Sequence, residues 1–524
     1  MRRAIGPAAL ALLLALPLQA QEGVRRRTVA EDLTMFSQVL NHLRLNHPDS
    51  LDSHTLIMAA IAGMVRAADP HSYVITSYRL DAEKEKARRE GRLVPVPISF
   101  IFVGGSPVIV GVVPGSAASA QDILPGDQLI AIDGDPVRAE SADELDLALA
   151  GDRRRPVALT VERRRGDGSL ARLERIVRRE RTDELTAVPA AFMLDSETGY
   201  LRITAFENTK VADDVRSALG RLERQGMRRL ILDLRDNPGG IVEQSARVAG
   251  EFLPRGTLLY TQAGRRIEVA DTGRVGRSFW SSEKRYPMVV LMNNGSASAA
   301  ELVAGALQDH DRALIVGRPS FGKSLVMRGF PLADGSVVVL VVGTVRTPCG
   351  RVIQREYRDV TTRDYYRLSR AERDTAGRPS CRTAGGRTVY GGGGIVPDVR
   401  LREREPAPVW IARLEEASVP LQWVGPHVSE NGTAYAGLDQ LAAAPALAPG
   451  ALDGFRTFAR REGASVPDGP EADALLERRL LLRVALTKWG PEGYYRLAAV
   501  LDPEVVEAIA AFAEASRILS ATEP

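Results

Sequence analysis

The sequence predicts an α/β protein with a mostly parallel sheet at its centre, a β-rich region before it and helical regions at both ends. From about residue 199, short apolar runs alternate with helical segments, as in parallel strands covered by helices. Between residues 91 and 180, short β-like runs are broken by glycines. Apolar residues at helical spacing dominate before residue 90 and after residue 405. A chain of 524 residues has room for about three domains.

Residues 1–20 predict a signal peptide. Arg2 and Arg3 precede an apolar run from Ala4 to Leu18, and Leu18-Gln19-Ala20 offers a cleavage site before Gln21. The run is too short to be a stable membrane span. We therefore expect an exported protein of the periplasm or the extracellular space.

Composition predicts no nucleic-acid partner. Hydrophobic residues make up 44% and charged residues 26%, with a formal net charge of +3, which is ordinary for a globular protein. The two cysteines, Cys349 and Cys381, fit no metal motif, and we expect no metal. After export they either form a disulfide, which closes a loop of about 30 residues and contributes roughly 3 kcal/mol, or stay as buried thiols.

Residues 28–90 predict an N-terminal helical region. Apolar residues recur there at intervals of three and four, at Leu33, Phe36, Val39, Leu40 and Leu43. A second helical run, Leu56 to Ala67, ends at Asp69-Pro70-His71-Ser72. Because His71 follows a proline in this turn, we interpret it as a turn residue rather than a catalytic one.

Residues 91–180 predict a β-rich domain. The predicted strands are Ile98–Val103, Pro107–Val113, Gln128–Ile132 and Val157–Arg163, and a helix is predicted at Ala142–Ala150. The turns Pro114-Gly115-Ser116 and Pro125-Gly126-Asp127 and the hairpin at Asp133-Gly134 occur in the order found in PDZ domains, which this region resembles. A PDZ domain binds an extended peptide as an added strand and holds its terminal carboxylate on backbone N–H groups. Here Pro95 and Pro97 remove two such donors, so we expect strand addition rather than carboxylate capture.

Residues 181–404 predict the α/β core. Its predicted strands are Gly199–Ile203, Arg229–Leu234, Thr257–Thr261, Met288–Met292 and Ala313–Val316. Arg229–Leu234 is nearly all apolar, as a parallel strand buried on both faces should be. It leads into Asp236-Asn237-Pro238-Gly239-Gly240 and a helix from Ile241 to Phe252. Functional groups are expected at the carboxyl ends of these strands.

Residues 405–524 predict a helical C-terminal region. Its clearest helices are Glu471–Lys488 and Glu504–Ile518. Asp502 is the predicted cap of the second helix, and Pro503 its first residue.

Three interpretations compete for residues 288–327. Residues 317–324 match the G-x-x-x-x-G-K-[ST] pattern of a nucleotide-binding loop. That loop needs a helix after Lys323, and Gly329 and Pro331 leave no room for one. Alternatively, Ser298 is only a helix cap, in a capping box with Glu301. In the third interpretation, Ser298 and Lys323 are the dyad of a Ser-Lys hydrolase.

Several motifs resemble the carboxyl-terminal processing, or tail-specific, proteases over roughly residues 30–400. They are Asp233–Gly240, Ser296–Glu301, Ala306–Asp309, Arg312–Gly317, Phe321–Lys323, Arg346–Arg351 with Ile353–Gln354, and Gly393–Asp398. In that family the nucleophile is the serine 25 residues before the lysine, and 323 − 298 = 25 selects Ser298 over Ser296.

The resemblance implies a crotonase-like (ClpP/crotonase) protease core with an inserted PDZ domain. On this hypothesis Ser298 attacks the peptide and Lys323, kept neutral by burial, is the general base. The oxyanion would bind the N–H of Ala299 and that of Gly239 or Gly240. No cofactor or nucleotide is expected. The expected partners are proteins or peptides with extended C-terminal segments, and a homo-oligomer or an adaptor stays open.

One departure from the family concerns the residue four positions after the lysine. The family usually has a glutamine there that helps to position the lysine, whereas this chain has Met327, whose thioether donates no hydrogen bond. Either another group orients Lys323, with Glu301 a supporting candidate, or this member is slow or inactive. The alternative function is a catalytically silent PDZ-containing peptide-binding protein.

Overall fold

A computed structural model gives the fold of most of the chain. It describes residues 28–75, 93–103, 106–112, 127–140, 142–164, 170–180, 187–266, 270–276, 284–333, 335–358, 375–402, 408–417 and 419–521, and the single residues Ala87, Ser116, Ala118, Gln121, Ile123 and Tyr365. The predicted signal peptide lies outside these residues. The chain divides into two compact units, Met1–Met64 and Val65–Pro524.

The two predicted N-terminal helices are confirmed. They are α1 (Val29–Asn46) and α2 (Ser53–Ala68). Helix α1 begins at a capping box in which Thr28 N–H donates to Glu31 Oε2 (2.7 Å) and Glu31 N–H donates to Thr28 Oγ1 (3.3 Å). The helical pattern expected up to residue 90 is interrupted by a strand, β1 (Tyr73–Ile75). Three residues are too few to give a readable alternation, so this strand was missed.

The predicted β-rich domain is an antiparallel sheet with one helix. Its elements are β2 (Ile98–Val103), β3 (Ser106–Val112), β4 (Gln128–Ile132), β5 (Asp135–Pro136), α3 (Ala142–Leu149), β6 (Val157–Arg164) and β7 (Leu170–Val177). The strand order is β2-β3-β4-β6-β7, with β5 paired to β4. Buried Ile109, Leu129, Leu145 and Leu159 share its core. Strand β2 is at one edge of this sheet, and α3 contacts it.

The α/β core follows. Its helices are α4 (Val211–Arg224), α5 (Val242–Gly250) and α6 (Ala299–Asp309). Its strands are β8 (Ala190–Met193), β9 (Thr198–Arg202), β10 (Arg229–Asp233), β11 (Leu258–Gly264), β12 (Asp271–Arg274), β13 (Met288–Met292), β14 (Leu314–Gly317), β15 (Leu325–Pro331), β16 (Val337–Arg346), β17 (Ser380–Arg382), β18 (Thr388–Tyr390) and β19 (Val399–Arg400).

A mostly parallel sheet forms the centre of the core, in the order β19-β14-β13-β10-β9-β8. Only the pair β8 and β9 is antiparallel in this sheet. Strands β13 and β14 are entirely buried. Alternate residues of a strand face opposite sides, so Leu230 and Leu232 of β10 pack with the core that includes α4, α5 and α6, whereas Ile231 packs into a second core. The carboxyl ends of β10, β13 and β14 are therefore neighbours at one edge.

One predicted strand belongs to a different sheet. Thr257–Thr261 was expected in the parallel sheet, but the strand there, β11, pairs antiparallel with β16, with Thr261 opposite Arg346. Strands β1, β15 and β12 complete this second sheet. The physical reason is that β11 is only partly buried, at Leu259 and Tyr260, whereas central parallel strands are buried on both faces.

The C-terminal region is helical, as predicted. Its helices are α7 (Val409–Glu416), α8 (Val419–Glu430), α9 (Leu438–Ala443), α10 (Ala451–Arg461), α11 (Pro470–Val500), α12 (Pro503–Ala510) and α13 (Phe512–Ala521). Helix α11 has non-helical dihedral angles at Gly490. The helix predicted as Glu504–Ile518 is two helices that meet at Ala511, a division that nothing in the structure explains. Asp502 caps α12 as predicted, because its Oδ1 accepts from Glu504 N–H (2.9 Å).

The C-terminal helices contribute to two different cores. Side chains of α7 to α11 form a core of their own around Trp423, Phe455 and Leu480. Helices α12 and α13 instead cover the second face of the parallel sheet, where Val505 and Phe512 belong to the same cluster as Ile231 of β10. The last two helices are thus part of the core that carries the sheet.

The two cysteines form a disulfide. Cys349 and Cys381 are bonded, with their Cα atoms 6.3 Å apart. The bond joins the turn after β16 to β17, which pairs with β18 as a two-stranded ribbon.

Candidate active site

Ser298 is held in an unusual backbone conformation at the start of α6. It follows β13 and occupies the N-cap position predicted for it, with φ 54° and ψ −113°. A non-glycine residue rarely adopts a positive φ unless its surroundings impose it, and such strain is frequent at functional sites. The N–H of Ser298 donates to Glu301 Oε2 at 2.8 Å. The turn thus presents a serine at the positive end of a helix dipole.

The segments after β10 and β14 are hydrogen-bonded to this serine turn. Ala297 N–H donates to Asn237 O at 2.9 Å, and Phe321 N–H donates to Ser296 O at 2.8 Å. The structure therefore brings together the three segments that carry the predicted glycines, the serine and the lysine.

Gly239 and Gly240 both need the absence of a side chain. A Cβ on Gly239 (φ 102°) would lie 2.8 Å from Ala299 N and from Ser298 Cβ. A Cβ on Gly240 (φ 136°) would lie 2.4 Å from the carbonyl carbon of Phe206. The close approach of Gly239 to Ser298 requires glycine at that position.

The amides of these two glycines point in different directions. Gly239 N–H donates to Asn237 Oδ1 at 2.9 Å. Gly240 forms a parallel bridge with Phe206. In this bridge Phe206 N–H donates to Gly239 O, and Ile241 N–H donates to Phe206 O. In this pattern the N–H of Gly240 itself points away from Phe206.

Lys323 lies in the connection between β14 and β15 and is largely enclosed. Burial lowers the pKa of its amine below the ordinary value, and the negative charge of Glu301 acts in the opposite direction. Lys323 and Ser298 line the same pocket. Much of the rest of its lining is apolar: Val242, Leu259, Leu302, Leu325, Val345 and Ile353.

Glu301 connects the serine and lysine segments. Its fully buried carboxylate accepts from Ser298 N–H and Lys323 N–H at Oε2, both at 2.8 Å, and from Gly322 N–H at Oε1 (2.7 Å). Ser320 Oγ donates to the same Oε1. Burial raises the pKa of Glu301, while these donors lower it. One side chain thus fixes the backbone on both sides of the pocket.

Met327 is not part of the pocket lining. It lies in β15 opposite Val341 and is partly buried. Directly after the lysine, Ser324 N–H donates to Gln354 Oε1 at 2.9 Å. The sequence motif that contains Gln354 predicts no role for this residue. It lies far from Lys323 in sequence, and only the fold brings the two together.

Like Gln354, His71 lies near the site although the sequence did not predict a role for it there. Asp69 Oδ1 accepts from its N–H (2.8 Å), as expected of a turn, but its buried ring contacts Tyr365 OH at 2.9 Å. Gln354 Nε2 donates to the same hydroxyl at 3.0 Å. Burial, together with the smaller effect of the charge of Lys323, lowers the pKa of His71 to about 4. No local pattern could have found this contact, because His71 and Tyr365 are 294 positions apart in sequence.

The nucleotide-loop interpretation is wrong. Lys323 is followed by the strand β15, which pairs with β16 along its length. The amides of Gly322 and Lys323 donate to the carboxylate of Glu301, so they face an anion that would repel phosphate. Among the described residues, no cluster of His, Cys, Asp and Glu side chains has the arrangement of a metal site. No described helix is long and apolar enough to cross a membrane.

Comparison with known proteins gives two family matches. The model described as peptidase family S41 matches residues 197–364, and a PDZ domain model matches residues 108–163. The first match falls on the α/β core, and the second falls on the antiparallel sheet with α3.

Curated relatives are bacterial proteases. A carboxy-terminal-processing protease of Bartonella bacilliformis is 31% identical over 331 residues, which cover 62% of this chain and 73% of that protein. A carboxyl-terminal-processing protease of Picosynechococcus sp. is 34% identical over 239 residues, 45% of this chain and 55% of that protein; the chain thus spans about half of this second relative. A solved photosystem II D1 C-terminal processing protease aligns with a TM-score of 0.46 and 24% identity, over 72% of this chain and 90% of that one.

Proposed function

We propose that Ser298 and Lys323 are the catalytic dyad of this chain, which belongs to peptidase family S41, the carboxyl-terminal-processing serine proteases. The chain is a serine-type endopeptidase with a PDZ domain, and its substrates are proteins. The observation that carries the assignment of the dyad is that both residues line one pocket, at adjacent carboxyl ends of parallel strands.

In the proposed reaction, Ser298 Oγ attacks the carbonyl carbon of the scissile peptide bond while the amine of Lys323 takes the hydroxyl proton. The ammonium of Lys323 then returns this proton to the leaving amine as the C–N bond breaks. Water, activated by the same amine, hydrolyses the acyl-enzyme. Burial favours the neutral amine that this cycle needs.

The N–H groups of Ala299 and Gly240 are the preferred oxyanion donors. Ala299 is the first residue of α6, where backbone N–H groups have no partner within the helix. Of the two candidate glycines, Gly239 already donates to Asn237 Oδ1, so Gly239 would have to break that bond first. The role we assign to Gly239 is to let the backbone approach Ser298 closely.

Glu301 and Gln354 are proposed to orient Lys323 in place of the glutamine that Met327 replaces. Glu301 accepts from the N–H of Lys323, and Gln354 accepts from the N–H of the next residue, Ser324. With two consecutive amides held, the backbone that carries the lysine side chain has little freedom. This arrangement supports an active protease over the silent binding protein.

We propose that substrates bind through an extended C-terminal segment added to the edge of β2. The PDZ sheet ends at β2, and α3 lies against it. The N–H of Val94 donates to Gly151 O and that of Ile98 to Val96 O. These amides, like the two prolines, are therefore not donors for a terminal carboxylate, which favours strand addition.

Export to the periplasm or the extracellular space is proposed from the signal-peptide pattern at residues 1–20. A homo-oligomer or an adaptor protein is a further proposal that the sequence leaves open.

The function is tested with a folded carrier protein that carries an apolar C-terminal tail, with the same carrier ending in two aspartates as a control. We expect the purified protein to degrade the apolar-tailed carrier without ATP, at least about tenfold faster than the control. Equal rates would contradict tail engagement. Binding of the apolar tail without any cleavage would favour the silent peptide-binding protein.

The pH dependence of kcat/KM should report Lys323. Only the neutral amine accepts a proton, so activity rises with pH through the pKa of Lys323, which burial lowers from 10.5. His71, with a pKa of about 4, is neutral over this range, and the exchange of His71 for asparagine changes no charge. We expect His71→Asn to leave the midpoint of the rising limb in place. A midpoint that moves with this substitution would assign the limb to the histidine.

A further inference from the structure

A buried cluster of charges joins the C-terminal helices to the α/β core. Arg235, which follows β10 and Leu234, donates to Asp502 Oδ2 at 2.8 Å and to Glu504 Oε2 at 2.5 Å. It also donates to both carboxylate oxygens of Asp233. Arg202 on the neighbouring strand donates to Asp233 at 2.9 Å. Asp502 is the N-cap of α12 and Glu504 lies in its first turn, both more than 260 residues away in sequence.

Glu504 binds a second arginine with its other oxygen. Its Oε1 accepts from Arg318 Nη2 at 2.5 Å. The side chain of Glu504 is 6% exposed, that of Arg235 8% and that of Arg318 16%. Ion pairs this deeply buried are geometrically demanding, because each charge is desolvated and needs its partner.

The ion pairs of this cluster join three arginines to three carboxylates, and Arg202 also lies 3.7 Å from the exposed carboxylate of Asp236. Arg202, Arg235 and Arg318 supply three positive charges, and Asp233, Asp502 and Glu504 supply three negative ones. Burial alone would raise the pKa of Asp233, but Arg235 and Arg202 hold it well below its ordinary value. Loss of any one charge would leave an uncompensated charge inside the protein.

Each of the two arginines bound by Glu504 stands just before a segment of the proposed site. Arg235 precedes Asn237, which accepts from Gly239 N–H through Oδ1 and from Ala297 N–H through its carbonyl oxygen. Arg318 follows β14 and precedes Ser320 and Lys323, both of which donate to Glu301. One carboxylate of α12 thus contacts the start of the oxyanion segment and the start of the lysine segment.

We propose that Glu504 is a positioning residue of the protease, through which the C-terminal helices hold the oxyanion segment and the lysine segment at a fixed separation. The proposal rests on the proposed dyad and gives residues 405–524 a part in the reaction. Glu504 does not touch the reacting atoms. It acts through Arg235 and Arg318, on opposite sides of the serine turn.

The test compares Glu504→Gln with the wild type in the full-length protein. Glutamine keeps the length of the side chain, but its amide nitrogen cannot accept, so one of the two arginines faces a donor. We expect kcat to fall about 10- to 100-fold, with KM changed by less than about twofold, because small misplacements of reacting groups mainly slow the chemical step. Arg318→Gln should give a fall in the same direction, and the two substitutions together should cost less than the sum of their separate effects.

Glu415→Gln is the matched control. Glu415 accepts from Arg483 at 2.6 Å, and both side chains are partly buried, between α7 and α11. This pair lies within the C-terminal region and does not reach the segments of the site. We expect Glu415→Gln to lower the thermal stability without a change in kcat. If Glu504→Gln lowers stability and leaves kcat unchanged, the cluster only anchors the helices and the proposal is overturned.

Hydrogen exchange separates failure of this proposal from failure of the proposed function. We expect Glu504→Gln to speed amide exchange about tenfold in residues 237–240 and 318–323, and Glu415→Gln to leave both segments unchanged. If exchange is faster in both segments but the wild type shows no proteolysis, the result would contradict the dyad and support the positional coupling. If the wild type is an active protease and Glu504→Gln leaves exchange unchanged, the result would contradict the coupling and leave the dyad unaffected.

Discussion

Replacement of either Ser298 or Lys323 by alanine is expected to lower kcat at least about 1000-fold. Ser298→Ala removes the only atom that can form the acyl-enzyme in the proposed reaction. Lys323→Ala removes the base, and a serine hydroxyl without a base is a weak nucleophile. Because the two residues act as a unit, the double variant should be no slower than either single variant.

Cleavage of the apolar-tailed carrier measures this loss, with binding of the tail measured in parallel. Ser196→Ala, in an exposed turn, and Lys284→Ala, whose amine binds Glu223 at 2.8 Å, serve as controls that should keep full activity. We expect both dyad variants to bind the tail as the wild type does. Proteolysis that survives either substitution would rule out the dyad.

Elements with a strong local signal could be predicted from the sequence. Strands β10, β13 and β14 are short and largely apolar, and helical segments separate them in the sequence, so the parallel sheet was predictable. The cap at Asp502 was equally local. The resemblance to the carboxyl-terminal processing proteases, through the spacing of their serine and lysine, identified two residues that line one pocket.

Features that depend on tertiary contacts were not predictable. Nothing in the run at β11 distinguishes an antiparallel neighbour of β16 from a member of the parallel sheet. Gln354 reaches Ser324 N–H, and His71 reaches Tyr365, only after the chain has folded. The contact of Glu504 with Arg235 crosses 269 positions. Patterns in single segments carry no information on such pairs.

Glu301→Gln is expected to lower kcat about 100-fold, because it releases both sides of the pocket together. The carboxylate of Glu301 accepts from three backbone amides and from Ser320 Oγ. Glutamine can accept only through its oxygen, so its NH₂ group would meet either Ser298 and Lys323 N–H or Gly322 N–H. Buried donors without an acceptor should also lower the free energy of unfolding by about 1–3 kcal/mol.

The pH profile distinguishes this positioning role from a loss of stability alone. The negative charge of Glu301 raises the pKa of Lys323, against the larger effect of burial. Its removal should therefore move the rising limb of kcat/KM to lower pH while kcat falls. Glu243→Gln, an exposed carboxylate in the first turn of α5, should change neither quantity. A Glu301→Gln protein that is less stable but has the wild-type limb and kcat would show that the carboxylate supports the helix and not the lysine.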